Sequence, residues 1–493
     1  MLYTLDNAEQ FVAERKHLLR PQYRLGYHLM AEFGWMNDPN GFIFHNGHYH
    51  LFYQYYPYQP VWGPMHWGHA ISRDLVSWEY APVALAPDQP YDSGGCFSGS
   101  AIVHEGKLHL MYTGHVVTGP NGDTDYYQTQ NIAVSDDGRA FAKLASNPVL
   151  GLEQIPAGAS RKDFRDPKVF ERDGSYYTVI GSNDGAGHGL ILLYRSQNLV
   201  NWTFVGEMAR SDGQMGDNWE CPDLFPLGDY DVLMMSPQRM PAQGDNYRNL
   251  HSTTYMVGKL NTETGLFSYD GYEPIDYGFD FYAPQTALDS QGRRIVIGWM
   301  ETWEQEIPTQ LGHYWAGAMT LPREAVLRSS DRKLLFQPLE ELKAYRRDGF
   351  ELRELELAGE QLLAVRGDCY ELEVVLRIGS ARELGLKLRT NGAGEETVLA
   401  YHAEEGLFRF NRDCSGIGQG GERRTAIALA EGGELSLRIF VDQSSVEVFL
   451  QGGEKVMTGR IYPGEASTGI AAFASGGTGT LVSFKKWDIE RQL

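Results

Sequence analysis

The sequence predicts an all-β protein, a five-bladed β-propeller followed by a C-terminal β-sandwich. Three observations carry this expectation. Aromatic residues make up 12% of the 493 residues and are accompanied by 56 glycines, the usage of many short strands joined by tight turns. Short aromatic runs repeatedly follow such turns. A polar motif returns about every 60 residues, the mark of a repeat built from small sheets.

Taken in chain order, residues 1–23 read as a helical extension. Leu5, Phe11, Val12, Leu18 and Leu19 sit among charges, and Pro21 punctuates. Residues 24–335 form the propeller. His48–Gln54, Lys107–Thr113, Ser175–Gly181 and Arg294–Trp299 read as strands, each after a Gly-containing turn, so one hairpin is used again and again. A second element also recurs: Ser72–Trp78 resembles Ser196–Trp202, with Ser135–Phe141 a looser copy. Residues 336–347 form a charged link with a short helix near Leu339–Lys343. Beyond it, over 348–493, alternation is cleaner. Leu435–Val441 and Val446–Leu450 read as a hairpin, and Glu371–Ile378 and Thr480–Phe484 as further strands, which is the texture of a sandwich.

Charge and composition exclude several functions. The net charge of −21 and a pI near 5.1 argue against a nucleic-acid partner and an anionic membrane surface. No apolar run approaches the ~20 residues of a membrane span. Cys96, Cys221, Cys369 and Cys414 are widely spaced without a C-x-x-C, which fits a reducing compartment. Asp6 and Glu9 stand where an export signal needs apolar residues. A cytoplasmic enzyme is therefore the expectation. No metal or cofactor is expected: His66-x-x-His69 lacks further ligands, and Asn121–Asp125 lacks the glycine and terminal Glu of a calcium loop. That segment reads as a surface loop.

Three acidic residues stand beside prolines: Asp38 before Pro39, Asp166 before Pro167, and Glu220 just ahead of Pro222. Proline stiffens the backbone around them, and stiff placement suits a catalytic carboxylate. Together with Phe97 and Asp280 these residues fall 54–69 positions apart. One polar motif thus falls in each blade, and equivalent positions of all blades converge on the central axis. Trp62, Trp67, Phe97, Trp219 and Trp299 are candidate flat apolar platforms for a ligand.

The segments Trp35–Gly41, Phe97–Ser100, Arg165–Pro167 and Glu220–Cys221, in that order, resemble the β-fructosidase family of glycoside hydrolases, which includes invertases, sucrose-6-phosphate hydrolases and fructan hydrolases. Val441–Phe449 is similar to that family's C-terminal sandwich, so the resemblance covers nearly the whole chain. Val61–His69 leans towards the bacterial sucrose-6-phosphate hydrolases. The resemblance implies a β-fructofuranosidase that cleaves sucrose or sucrose 6-phosphate with retention. Asp38 would be the nucleophile, Glu220 the acid/base, and Asp166 the residue that holds fructose hydroxyls. A retaining pair of carboxyl groups lies about 5–5.5 Å apart. Asn37, Gln54, Trp62, Phe97, Ser98, Arg165, Asp280 and Trp299 would line the fructose subsite.

On this reading Asn37 holds Asp38 ionised, Arg165 keeps Asp166 ionised, burial and repulsion raise Glu220, and Cys221 tunes Glu220 or packs. Arg161, Lys162, Arg239 and Arg248 are the cations near site motifs that a 6-phosphate would call on. The partner implied is a small fructoside, with homodimerisation left open. A fructosyltransferase or fructan hydrolase would use the same carboxylates, and a non-catalytic sugar-binding propeller would have lost one of them.

Overall fold

The computed structural model describes residues 3–492. A helix over Leu5–Arg15 opens it, capped by Thr4, whose Oγ1 accepts the Asn7 N–H at 3.3 Å. Its Ala8 and Val12 are buried against the first sheet, and Glu9 accepts the Val83 N–H at 2.6 Å.

Five antiparallel sheets follow, each with its strands in sequence order. The first contains Gly34–His45, His48–Tyr56, His66–Ser72 and Trp78–Leu85, and the second Gly95–His104, Lys107–Val117, Tyr126–Ser135 and Ala142–Lys143. The third contains Phe164–Arg172, Ser175–Asn183, Gly189–Ser196 and Trp202–Arg210. The fourth contains Asn218–Leu227, Tyr230–Gln238, Thr254–Leu260 and Phe267–Tyr269, with Glu273–Pro274 also pairing on Thr254–Leu260. The fifth contains Tyr282–Leu288, Arg294–Trp299, Arg323–Arg328 and Lys333–Pro338. The short strand Trp315–Ala316 returns to pair in parallel with Gly34–Trp35.

The four aromatic runs singled out in the sequence are the second strands of sheets one, two, three and five. The second recurring element joins third strand to fourth. In each copy a serine hydroxyl (Ser72, Ser135, Ser196) and the following carboxylate or amide oxygen (Asp74, Asp137, Asn198) accept backbone N–H groups of the turn. The residue after that pair is left-handed each time: Leu75 at φ 66°, Gly138 at 71° and Leu199 at 62°. The repeated sequence is thus a repeated turn.

The first strands of the five sheets contact one another in a closed circuit: first to second, second to third, third to fourth, fourth to fifth, and fifth to first. After a short 3-10 helix at Glu340–Tyr345, two six-stranded antiparallel sheets share one apolar core that includes Leu372, Leu386, Phe410, Leu437, Val448 and Phe484. Buried ion pairs join the two regions. Asp442 accepts the N–H groups of Gly26 and Tyr27 and faces His28 at 2.8 Å. Arg323 spans Asp276 and Glu447 at 2.9 and 2.6 Å.

Candidate active site

The first strand of every sheet breaks its pairing at the same place. Register shifts fall between Met36 and Pro39, Phe97 and Gly99, Glu220 and Asp223, and Tyr282 and Gln285, and in the third sheet opposite Arg165–Lys168. Such irregularities re-aim side chains. Aligning them superposes five segments: Asn37–Asn40, Phe97–Ser100, Arg165–Lys168, Glu220–Asp223 and Tyr282–Gln285. The third residue is proline in four of them and Gly99 in the other. Proline has no N–H to give the ladder, so pairing breaks there. Asp166, Cys221 and Ala283 take φ of 62°, 47° and 49°, a strain of about 1–3 kcal/mol each.

The alignment sorts the site into layers. The first residues of the segments are Asn37, Phe97, Arg165, Glu220 and Tyr282. Arg165 Nε and Nη2 donate to Glu220 Oε1 at 3.0 and 2.8 Å, and the Tyr282 hydroxyl donates to Oε2 at 2.5 Å. Asn37 is itself held by Trp35 Nε1 at 2.7 Å. The second residues are Asp38, Ser98, Asp166, Cys221 and Ala283. Asp38 accepts from Ser98 Oγ at 2.7 Å and Asn37 Nδ2 at 3.0 Å. The Cys221 thiol lies 3.5 Å from Asp38 Oδ2 and 3.6 Å from Asp166 Oδ2, and the Cys221 N–H donates to Asp166 at 3.0 Å.

The fourth residues close a ring beneath them. Asn40 accepts the Gly99 N–H at 3.0 Å, Ser100 donates to the Pro167 carbonyl at 2.7 Å, and Lys168 pairs with Asp223 at 2.8 Å. Asp223 accepts the Thr286 N–H at 2.6 Å, and Gln285 accepts the Phe42 N–H at 2.8 Å. Each bond ties one sheet to another, ending at the first.

Asn37, Asp38, Gln54, Trp62, Phe97, Ser98, Arg165, Asp166 and Glu220 all line one open cavity of about 400 Å³. Trp62 stands half exposed, edge-on to Phe97 at 6.0 Å, and Phe97 stacks on His115 at 4.3 Å. Two expected members lie elsewhere. Asp280 is buried in an ion pair with Arg412 at 2.5 Å and accepts the Arg460 N–H, facing the two six-stranded sheets. The fifth sheet's segment begins at Tyr282, so a reading anchored on Asp280 is two residues out of step. Trp299 is fully buried behind the wall, packed on Trp35 and Trp303, and Trp303 lines the cavity instead. Trp67 and Trp219 are also fully buried and offer no platform. Sequence reasoning missed His115, Tyr126, Gln128, Gln238, His251 and Trp303, which complete the lining, and the Asn121–Asp125 loop, whose Gly122 and Asp123 border it. The Tyr282-Ala-Pro-Gln285 segment carried a readable signal, the same spacing to proline as Glu220–Asp223.

The electrostatics depart from expectation. Burial raises Asp38 despite its bonds to Ser98 and Asn37, with the Glu220 charge adding to the rise. Asp166 is pushed up to about 7, first by burial, with Arg165 opposing and Glu220 and Asp38 reinforcing. Arg165 does not pair closely with Asp166, from which it stands 4.0 Å, because Glu220 and Asp163 occupy its donors. Asp163 is held down to about 2 against its burial by that guanidinium and by Tyr126 and Asn183. Burial, then the nearby Arg165, pushes His115 down to about 4. Burial drives the Cys221 thiol up, so it is neutral, and its contacts are with Asp38 and Asp166 rather than Glu220.

The N-terminal domain of the glycosyl hydrolases family 32 matches residues 28–338, and that family's C-terminal domain matches 341–488. A sucrose-6-phosphate hydrolase of Zymomonas mobilis is 39% identical over 96% of this chain and 94% of its own. Among solved structures, a mutant of a Bombyx mori GH32 β-fructofuranosidase in complex with sucrose is 37% identical, with a TM-score of 0.86 over 99% of this chain and 98% of that one. A sucrose-6-phosphate hydrolase of Lactobacillus gasseri is 30% identical, with a TM-score of 0.87 over 98% and 97%.

Proposed function

The chain belongs to glycosyl hydrolase family 32, and from that membership we propose that it is a retaining β-fructofuranosidase acting on sucrose, sucrose 6-phosphate or both. The observation that carries this reading is the convergence of Asp38, Asp166 and Glu220, from three different sheets, on one cavity. Asp38 attacks the anomeric carbon of the fructosyl unit while Glu220 gives its proton to the glycosidic oxygen. That carbon–oxygen bond breaks, leaving a fructosyl ester on Asp38. Glu220 then takes a proton from water, the water oxygen attacks the same carbon, and Asp38 leaves as carboxylate. The donors Ser98 and Asn37 favour Asp38 as the anion of the neighbouring aspartate pair, and Asp166 accepts hydrogen bonds from fructose hydroxyls. Arg165 and Tyr282 fix the Glu220 carboxyl plane.

The same reading takes residues 24–335 as a five-bladed propeller with the first strands around its axis, supported by their closed circuit of contacts, and residues 348–493 as the sandwich. No described helix is long and apolar enough to cross a membrane, and a cytoplasmic enzyme is part of the proposal.

Among the described residues lining the cavity the cation is Arg165, which is committed to Glu220 and Asp163. Arg239 and Arg248 pair with Asp217 and Asp245, and neither they nor Arg161 and Lys162 line the cavity. This favours the unphosphorylated sugar. The test is a chromatographic time course on sucrose and on sucrose 6-phosphate. Fructose released in equal amount with glucose from sucrose, or with glucose 6-phosphate from sucrose 6-phosphate, and faster on sucrose, is expected. Fructose lagging glucose while longer oligomers appear would make the protein a transferase, and no cleavage of either would defeat the reading.

A further inference from the structure

We propose that the second domain is a positioning element for the mouth of this cavity, acting through three arginines on two loops of the first domain. One loop, between Tyr230–Gln238 and Thr254–Leu260, presents His251 to the cavity; the other, following Arg294–Trp299, presents Trp303. Trp303 lies outside any strand, and His251 is tied to its own sheet only by an isolated bridge to Gln238 and by the Arg239 N–H at 3.3 Å, so regular strand pairing does not run through either residue.

Both are gripped from the second domain. Arg423 donates to Asn249 Oδ1 at 2.7 Å, two residues from His251. Arg412 donates to Gln305 Oε1 at 2.8 Å and Arg460 to Glu301 Oε1 at 2.6 Å, each two residues from Trp303. The arginines are themselves held in place, Arg460 by the Ser444 carbonyl and hydroxyl at 2.9 Å each. Arg412 is held by Asp280 at 2.5 Å and lies over the Phe279 ring at 4.0 Å, and Arg423 lies over the same ring at 4.7 Å. The two loops are joined to each other by the Leu250 N–H and Glu304.

Stability alone gives no reason for this seam. Buried ion pairs such as Arg412–Asp280 and Arg460–Glu301, with side chains 6% exposed or less, commonly add little over apolar packing. What planar guanidinium forks supply is direction, and here the direction leads to the residues flanking His251 and Trp303. A site held by such an outer layer loses substrate binding when the layer loosens, before it loses the chemical step.

The inference rests on the cavity being the sucrose site, and its test is chosen to separate the two. In the full-length enzyme, Asn249→Ala combined with Gln305→Leu removes two grips from the loop side. The expected result is a rise in KM for sucrose of about five-fold or more with kcat within about two-fold, the pattern of lost uniform binding. Amide hydrogen exchange should quicken over 247–253 and 300–306 and nowhere else. Tyr345→Phe, which removes the bond from the interdomain segment to Asp74 away from both loops, should leave KM and those exchange rates unchanged. Gln305→Glu keeps an acceptor for Arg412 and should restore KM relative to Gln305→Leu; this pair decides the matter even if the double variant does not fold. An unchanged KM with unchanged exchange in folded variants would overturn the proposal. The exchange comparison needs no substrate, so it stands even if wild-type enzyme leaves sucrose intact.

Discussion

The strand Cys369–Arg377 of the C-terminal region buries Tyr370, Leu372, Val374 and Leu376 in the apolar core; on its other side Glu371 is buried against Arg346 and Arg438, and Glu373, Val375 and Arg377 are partly exposed. The strand Phe164–Arg172 at the candidate site buries Arg165, Asp166 and Lys168 as well as the apolar Phe164 and Val169. Both strands are interior, but the first packs mainly by apolar contact, whereas the second also takes part in a circuit of hydrogen bonds running from Asn40 round to Gln285. Apolar burial tolerates variation as long as volume is kept, whereas a polar circuit is stable only when every member is satisfied. Function sits on the second kind of strand. On the proposed reading the C-terminal region supplies support, while the inner strands bury the polar and charged side chains of the site and three of them carry a left-handed residue, at Asp166, Cys221 and Ala283.

Substitutions on the two kinds of strand should therefore behave differently. Asp38→Asn should lower kcat by about 10⁴-fold or more, a barrier increase of about 5 kcal/mol, while leaving the melting temperature within a few degrees; activity retained within ten-fold would remove Asp38 from the chemistry. Lys168→Met leaves Asp223 buried with its charge unpaired and should cost about 3–5 kcal/mol in urea unfolding. A loss below about 1 kcal/mol would mean that Asp223 does not depend on Lys168 for its charge compensation. Leu386→Ala, in the second domain's core, should cost about 2–5 kcal/mol yet leave kcat of the folded enzyme at 25 °C unchanged; a fall in kcat would end the division of labour.

Asp166→Asn separates the two kinds of burial by sign. Because the folded-state pKa of Asp166 is raised, the wild-type loses stability as pH climbs from about 4, its unfolded value, through about 7. The variant should therefore be no more stable than wild type at pH 4 and more stable by about 1–4 kcal/mol at pH 8, while losing activity. Equal calorimetric stability at pH 8 would show that the carboxylate is not strained by burial.

The two regions are also unequally legible in the sequence. Alternation is visible wherever one face of a strand is apolar, so Leu435–Val441 and Val446–Leu450 stand out as a hairpin. The inner strands bury polar residues on both faces and show no alternation. Their signal is the break itself, a proline or glycine two residues after Asn37, Phe97, Arg165 and Glu220. Asp280 fails as the fifth copy because an isolated acid before an aromatic pair imitates the motif, whereas the true copy, Tyr282–Gln285, lacks a carboxylate and keeps only its proline. His251 and Trp303 are invisible because loops carry no period. Trp299 misleads because a tryptophan at a strand's end is as often wall backing as wall. The environment of Arg165 is out of reach as well, since its bond to Glu220 joins residues of different sheets.

The proposed double displacement has Asp38 attack and Glu220 assist within one cavity. The decisive observable is the anomeric configuration of the product when sucrose is turned over in aqueous methanol and the methyl fructoside is examined by NMR. Double displacement predicts methyl β-D-fructofuranoside, formed with retention through the ester on Asp38 and absent with the Asp38→Asn enzyme. The α anomer as the enzymatic product would contradict it, because water or methanol would then have attacked the sugar directly.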